Sequence, residues 1–158
     1  MNGLFIVDGG YELLCGDVAI GRVRHLDAAA VATLEGFSGR YGQLLGSPHA
    51  GAGLLALGRE LYGWLDGEGQ LHALLQRAER PLRFEVCAAN LLPSPAEWAL
   101  LRAPWELLAD QNGFWAGDVA LGFSPVRRLG RRTEAPPLDK HRLGLGVHGG
   151  LTARCPRA

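Results

Sequence analysis

Three cysteines and five histidines are the residues from which a thiol nucleophile or a metal site would be built. Their spacing argues against both. Cys15, Cys87 and Cys155 are odd in number and lack the short separations of a zinc or iron–sulfur site. His25, His49 and His72 have no Cys or His at ligand spacing, and His141 and His148 lack a third ligand nearby. His148 with Cys155 has the residue types of a protease dyad, in which an imidazole takes the proton of an attacking thiol. Cys155 precedes Pro156 three residues before the last position, where chains fray. The pair is set aside, and no catalytic residue, cofactor or metal is expected.

Gly144-Leu145-Gly146-Val147-His148-Gly149 has the G-x-G-x-x-G spacing of a dinucleotide loop. That loop works by opening a helix whose N-terminal N–H groups meet phosphate. Residues 151 to 158 contain Pro156 and supply no such helix or later acidic partner, so no nucleotide is expected. Arg127, Arg128, Arg131 and Arg132 form a basic strip. The formal net charge is zero, and no wide basic face with interleaved aromatics accompanies the strip. It reads as a solvated strand end and a candidate partner-binding strip for an acidic peptide or partner domain, with no nucleic acid.

The elements that would hold these residues follow from the 158-residue sequence, 47% apolar and 20% charged, which is that of a globular chain. No apolar run approaches the roughly 20 residues of a membrane span, and no signal peptide is legible. The cytoplasm is the expected compartment, without membrane contact. Lys140 is the single lysine against fifteen arginines, a bias that reads as codon usage.

Leu4–Val7, Tyr11–Cys15 and Val18–Leu26, separated by Asp-Gly and Gly-Asp turns, predict a β-meander. Asp27 is a helix cap. Val31, Leu34, Phe37, Tyr41 and Leu44 form one helix face, with a break or close packing expected at Gly36, Gly39 and Gly42. A second helix carries Leu54, Leu57, Leu61 and Trp64, and a third Leu71, Leu74, Leu75 and Ala78; together they predict an α-hairpin on a sheet face. Leu82–Ala88 alternates as a strand. Ser94-Pro95-Ala96-Glu97 is a capping box, and its helix ends before Pro104. Pro104–Leu108 predicts a short helix, Phe114–Phe123 a hairpin turning at Gly117-Asp118, and Pro125–Leu129 and Leu143–Val147 two further strands.

The least generic stretch is Ala103-Pro104-Trp105-Glu106-Leu107-Leu108, followed by Asp110, Gly113, Phe114 and Val126-Arg127-Arg128-Leu129. It resembles the proline-tryptophan-glutamate segment of CHAT domains, bacterial relatives of caspases and separases, with Pro104, Trp105, Glu106, Leu107, Arg127 and Arg128 carrying the match. The resemblance implies an α/β fold, a three-layer caspase-like sheet with flanking helices, here incomplete and preceded by the meander. It implies a cysteine-peptidase family whose catalytic His and Cys lie beyond the matching region. Trp105 and Glu106 read on their own as a core anchor and a carboxylate at a helix's positive end.

Residues 1–146 are expected to be the N-terminal part of such a domain and 147–158 an out-of-frame tail. One choice of codons for Val147–Cys155, read a nucleotide later, gives phenylalanine-methionine-alanine-alanine-serine-proline-arginine, as the resemblance implies the family strand would continue, and then glycine. The expected function is that of an inactive piece of a CHAT peptidase whose partner is the catalytic half. The alternative is a non-enzymatic protein-interaction module.

Overall fold

A computed structural model describes residues 2–7, 9–88 and 90–130. Among them, β1 (Asn2–Val7), β2 (Gly10–Cys15), β3 (Val18–His25), β4 (Arg83–Ala88) and β7 (Ser124–Leu129) form one sheet in the order β3-β2-β1-β4-β7. The meander pairs antiparallel as its turn residues predict, and β1, β4 and β7 run parallel. The helices are α1 (Ala28–Leu45), α2 (Ala50–Asp66), α3 (Gln70–Arg77) and α4 (Pro95–Arg102). A 3-10 turn (Trp105–Leu107) leads to the small ladder of β5 (Ala109–Asp110) and β6 (Gly113–Phe114). No helix of the described residues is long and apolar enough to cross a membrane. The strand expected at 143–147, the tail from 147, and Arg131 and Arg132 lie outside the described residues.

One face of the sheet builds the core. Register places Leu4 beside Leu13 and Val86, Ile6 beside Tyr11, and Leu13 beside Ile20. All six are buried. Because side chains alternate along a strand, Arg24 and Arg127 share this face, and Phe5, Cys87 and Arg128 share the other. The four helices pack on the core face, α3 over β2 and β3, α4 over β4, with α1 against α2 and α4. The described residues adopt an α/β class, as the resemblance implies, in the form of a five-stranded mixed sheet with four helices.

Three expectations need correction. α1 is unbroken, and a Cβ at Gly36, Gly39 or Gly42 would meet nothing within 4 Å, so these glycines mark neither a break nor close packing. Burial of Leu34 and Phe37 and the Asp27 cap, whose carboxylate accepts from Ala30 N at 2.8 Å, outweigh their low propensity. The region 114–123 is no hairpin. It holds β6, a 3-10 turn at Trp115–Gly117 and a tight turn, because the Asp118 carboxylate accepts from the backbone of Ala120 (2.9 Å) and Leu121 (3.1 Å). The turn after Pro104 is 3-10, with Trp105 N and Leu107 N donating to Ala103 O and Pro104 O. The capping box forms as written, and Ala103 is extended before Pro104.

Candidate functional site

The Pro104-Trp105-Glu106 segment lies where α4 ends against β7. The last carbonyls of a helix have no partner within it, and here side chains from further along the chain supply the donors. Fully buried Trp105 donates its indole Nε1–H to Leu100 O at 2.9 Å. From β7, Arg127 donates Nε–H to Leu101 O at 2.6 Å and Nη2–H to Ala103 O at 2.8 Å. The same guanidinium meets the Glu106 carboxylate through two nitrogens, Nη2 lying 3.0 Å from Oε2 and Nη1 bonding Oε1. One arginine therefore caps a helix and ties the turn after it to a strand. The fork geometry of guanidinium permits this, and a lysine ammonium would not reproduce it.

Arg127 holds the Glu106 carboxyl below the ordinary carboxylate range through its hydrogen bond, against a smaller opposing effect of burial. The pair is partly solvated, with side chains 35% (Arg127) and 49% (Glu106) exposed, so its Coulomb contribution is modest. Pro104 and Leu108 are buried, and α2 comes down directly on this segment. A Cβ at Gly58 would sit 1.9 Å from Leu107 O, so only glycine allows the approach.

Of the arginine strip, Arg127 and Arg128 are described, and each is partly solvated while engaged within the chain. Arg127 is engaged as described, and Arg128 reaches buried Glu85 at 3.1 Å on the other face. Four described arginines each bind two or more backbone carbonyls. Arg24 reaches Trp64, Leu65 and Asp66; Arg59 reaches Asp110 and Gln111; Arg80 reaches Leu75 and Ala78; Arg127 reaches Leu101 and Ala103. Local structure does call for arginine at these places, contrary to a reading from codon usage alone. Arg on a strand, facing a helix terminus, is the signal that periodicity passes over.

Two features offer chemistry beyond this junction. An open cleft of about 710 Å³ lies between α2, α3 and the β5–β6 ladder, with Arg59, Tyr62, His72, Asp110 and Asn112 in its wall. The Tyr62 phenol is pushed up first by burial and then by the charges of Asp66 and Asp110. Both Asp110 oxygens already accept, from Asn112 N at 2.7 Å and Trp115 Nε1 at 3.3 Å. The His72 ring lies 2.9 Å from the Gln76 amide. The second feature is the thiols. Cys87 is fully buried in β4, its sulfur 3.9 Å from Gly130 O. Cys15 and His25 lie at opposite ends of the β2–β3 pair, since Cys15 faces Val18 and Gly10 faces His25. No group of three or more His, Cys, Asp or Glu among the described residues could hold a metal ion.

No protein-family model matches the chain, and no curated protein or solved structure matches it.

Proposed function

We propose that the described residues are the scaffold of a CHAT-like, caspase-like α/β domain, with a helical layer on each face of its sheet when complete, and that they hold no peptidase centre. The observation that carries this reading is the junction at Trp105, Glu106 and Arg127. Three of the residues that make up the resemblance, Trp105, Glu106 and Arg127, form one connected unit joining a helix end, a turn and β7, while Arg128 turns to Glu85 on the other face. Such a unit positions a sheet. It leaves no free nucleophile, because Trp105 is buried and Glu106 and Arg127 are bonded to each other. Peptide-bond attack by a thiol needs an imidazole within hydrogen-bond reach. The register of β2 and β3 separates Cys15 from His25, and Cys87 is buried inside β4.

The purified chain, incubated with a broad peptide library in reducing buffer, is expected to release no products. Cleavage that a thiol alkylating reagent abolishes would overturn the scaffold reading. Sequencing the gene through codon 147 and beyond tests the family assignment separately: a His and a Cys in family-like motifs, in this frame or one shifted by a base, support it.

A second reading, a non-enzymatic interaction module, is favoured by the position of β7, which ends the sheet among the described residues. In this reading the contact runs through the strand edge. The Arg127 to Arg132 strip is a poorer candidate, since Arg127 and Arg128 are engaged within the chain.

A further inference from the structure

The two edges of the sheet offer a neighbour different things. An edge strand presents backbone N–H and C=O groups that its own sheet does not use. On β7 their identity can be worked out. Ser124 N donates to Leu82 O at 3.0 Å and Gly130 N to Ala88 O at 2.9 Å, with Phe84 beside Pro125 and Val86 beside Arg127. In a parallel pair the residues that bond one neighbour alternate with those that do not. Ser124, Val126, Arg128 and Gly130 therefore face β4. Pro125, Arg127 and Leu129 turn their backbone groups outward. Pro125 has no N–H to contribute, and an outward position is where a strand tolerates proline.

Edges are commonly guarded by charges or irregularities. β3 has both: Arg22, whose side chain stays 78% exposed while paired with Glu68, and a register shift between Tyr11 and Leu13 on its partner strand. On β7 the two arginine side chains are drawn away, one to α4 and Glu106, the other to Glu85. Among the described residues, Pro125 is what interrupts that outward row, and Arg127 and Leu129 keep both backbone groups on it.

We propose that β7 pairs antiparallel with β7 of a second copy, about a two-fold axis at Arg127. The row is self-complementary in that register. Arg127 N–H meets Arg127 C=O of the second copy, and the reverse. Leu129 N–H meets Pro125 C=O of the second copy, and the reverse. Every outward N–H is used, and the missing proline donor costs only the Leu129 carbonyl its partner. Charge is also compatible, because each Arg127 arrives paired with its own Glu106, so two neutralised pairs meet at the axis. Leu129 is brought beside Pro125 of the second copy, apolar against apolar. Such an interface is isologous, as a two-fold dimer requires. The proposal rests on the sheet-edge reading above and is independent of the family resemblance.

The test uses the full chain. Sedimentation equilibrium over a wide concentration range is expected to show a reversible monomer–dimer equilibrium. Leu129→Pro removes only an outward N–H and leaves the β4–β7 ladder in place, and should weaken the dimer about tenfold or more, through two lost hydrogen bonds. Leu129→Ala keeps the N–H and should retain most of the association. Circular dichroism checks that both variants fold. A dimer that Leu129→Pro leaves intact would overturn the proposal. A monomer at every concentration would overturn it too, and amide exchange then separates two failures. Slow exchange at Arg127 and Leu129 would mean that another strand occupies the edge, so that the sheet-edge reading survives. Fast exchange would sink both.

Discussion

Arg24 on β3 and Arg127 on β7 do the same mechanical work at opposite ends of the sheet that the described residues form. Each reaches from an edge strand to the C-terminal carbonyls of a helix, α2 in one case and α4 in the other. They differ in what completes the guanidinium's bonding. Arg24 adds the neutral Gln70 amide, at 3.0 Å from Oε1, and packs against Gly67, where a Cβ would lie 2.4 Å from Nη2. Arg127 adds the Glu106 carboxylate. The comparison separates two jobs that are easily merged. Satisfying orphan carbonyls needs only a fork of donors. Adding a carboxylate makes the clamp sensitive to pH and salt, and here it extends the clamp to the turn after the helix.

The largest effect should come from removing what the β7 clamp surrounds. Trp105→Ala empties a fully buried site and leaves Leu100 O without its indole donor; a loss of about 3–5 kcal/mol is expected in urea melts. Next come the clamps themselves. Arg127→Met and Arg24→Met should each cost about 2–3 kcal/mol through unpaired carbonyls. The comparison predicts that salt changes the cost of the first and leaves that of the second nearly unchanged. Equal salt dependence would erase the distinction.

The two sides should also fail at opposite ends of the pH scale. The Glu106 carboxyl is held low by Arg127, so its contribution is present above the ordinary carboxylate pKa and is lost as pH falls through the lowered value. Tyr11, beside Arg24, is pushed up by burial, with Arg24 opposing. A phenol with a raised pKa favours the fold below its ordinary value, and that contribution is lost as pH rises through the raised one. Stability measured against pH should therefore show an acid-side loss that Glu106→Gln flattens and an alkaline-side loss that Tyr11→Phe flattens. If Glu106→Gln leaves the acid limb unchanged, the carboxylate is not what distinguishes the β7 clamp.

The smallest effect has the opposite sign. Gly39→Ala on α1, where a Cβ meets nothing, should stabilise by about 0.5–1 kcal/mol in thermal melts.

These contrasts also explain what the sequence made legible. Local signals carried through: the Asp27 cap, the Ser94–Glu97 capping box, the meander turns, and the end of α4 ahead of Pro104 depend on neighbouring residues and were readable from them. The expected break in α1 did not appear, because propensity at three glycines is small beside burial of an apolar stripe. The misplaced hairpin at 114–123 came from β-prone residues whose backbone Asp118 captures. The clamps were hidden for another reason. Arg127 lies 21 positions from Glu106 and Arg24 lies 46 from Gln70, so each pairing exists only after the sheet has brought distant segments together. Pro104, Trp105 and Glu106 stood out by type, but their shared partner on β7 was a property of register.

The most direct test of the account is a double-mutant cycle with Glu106→Gln and Arg127→Met, measured at neutral pH and again below the Glu106 pKa. A favourable coupling of roughly 0.5–1 kcal/mol is expected at neutral pH, modest because the pair is partly exposed, and it should disappear in acid. Arg127→Met should remain costly at both pH values, because Leu101 O and Ala103 O lose their donor regardless. Additive mutations at neutral pH, or an Arg127→Met cost that vanishes in acid, would contradict the claim that one guanidinium both caps α4 and ties Glu106 to β7.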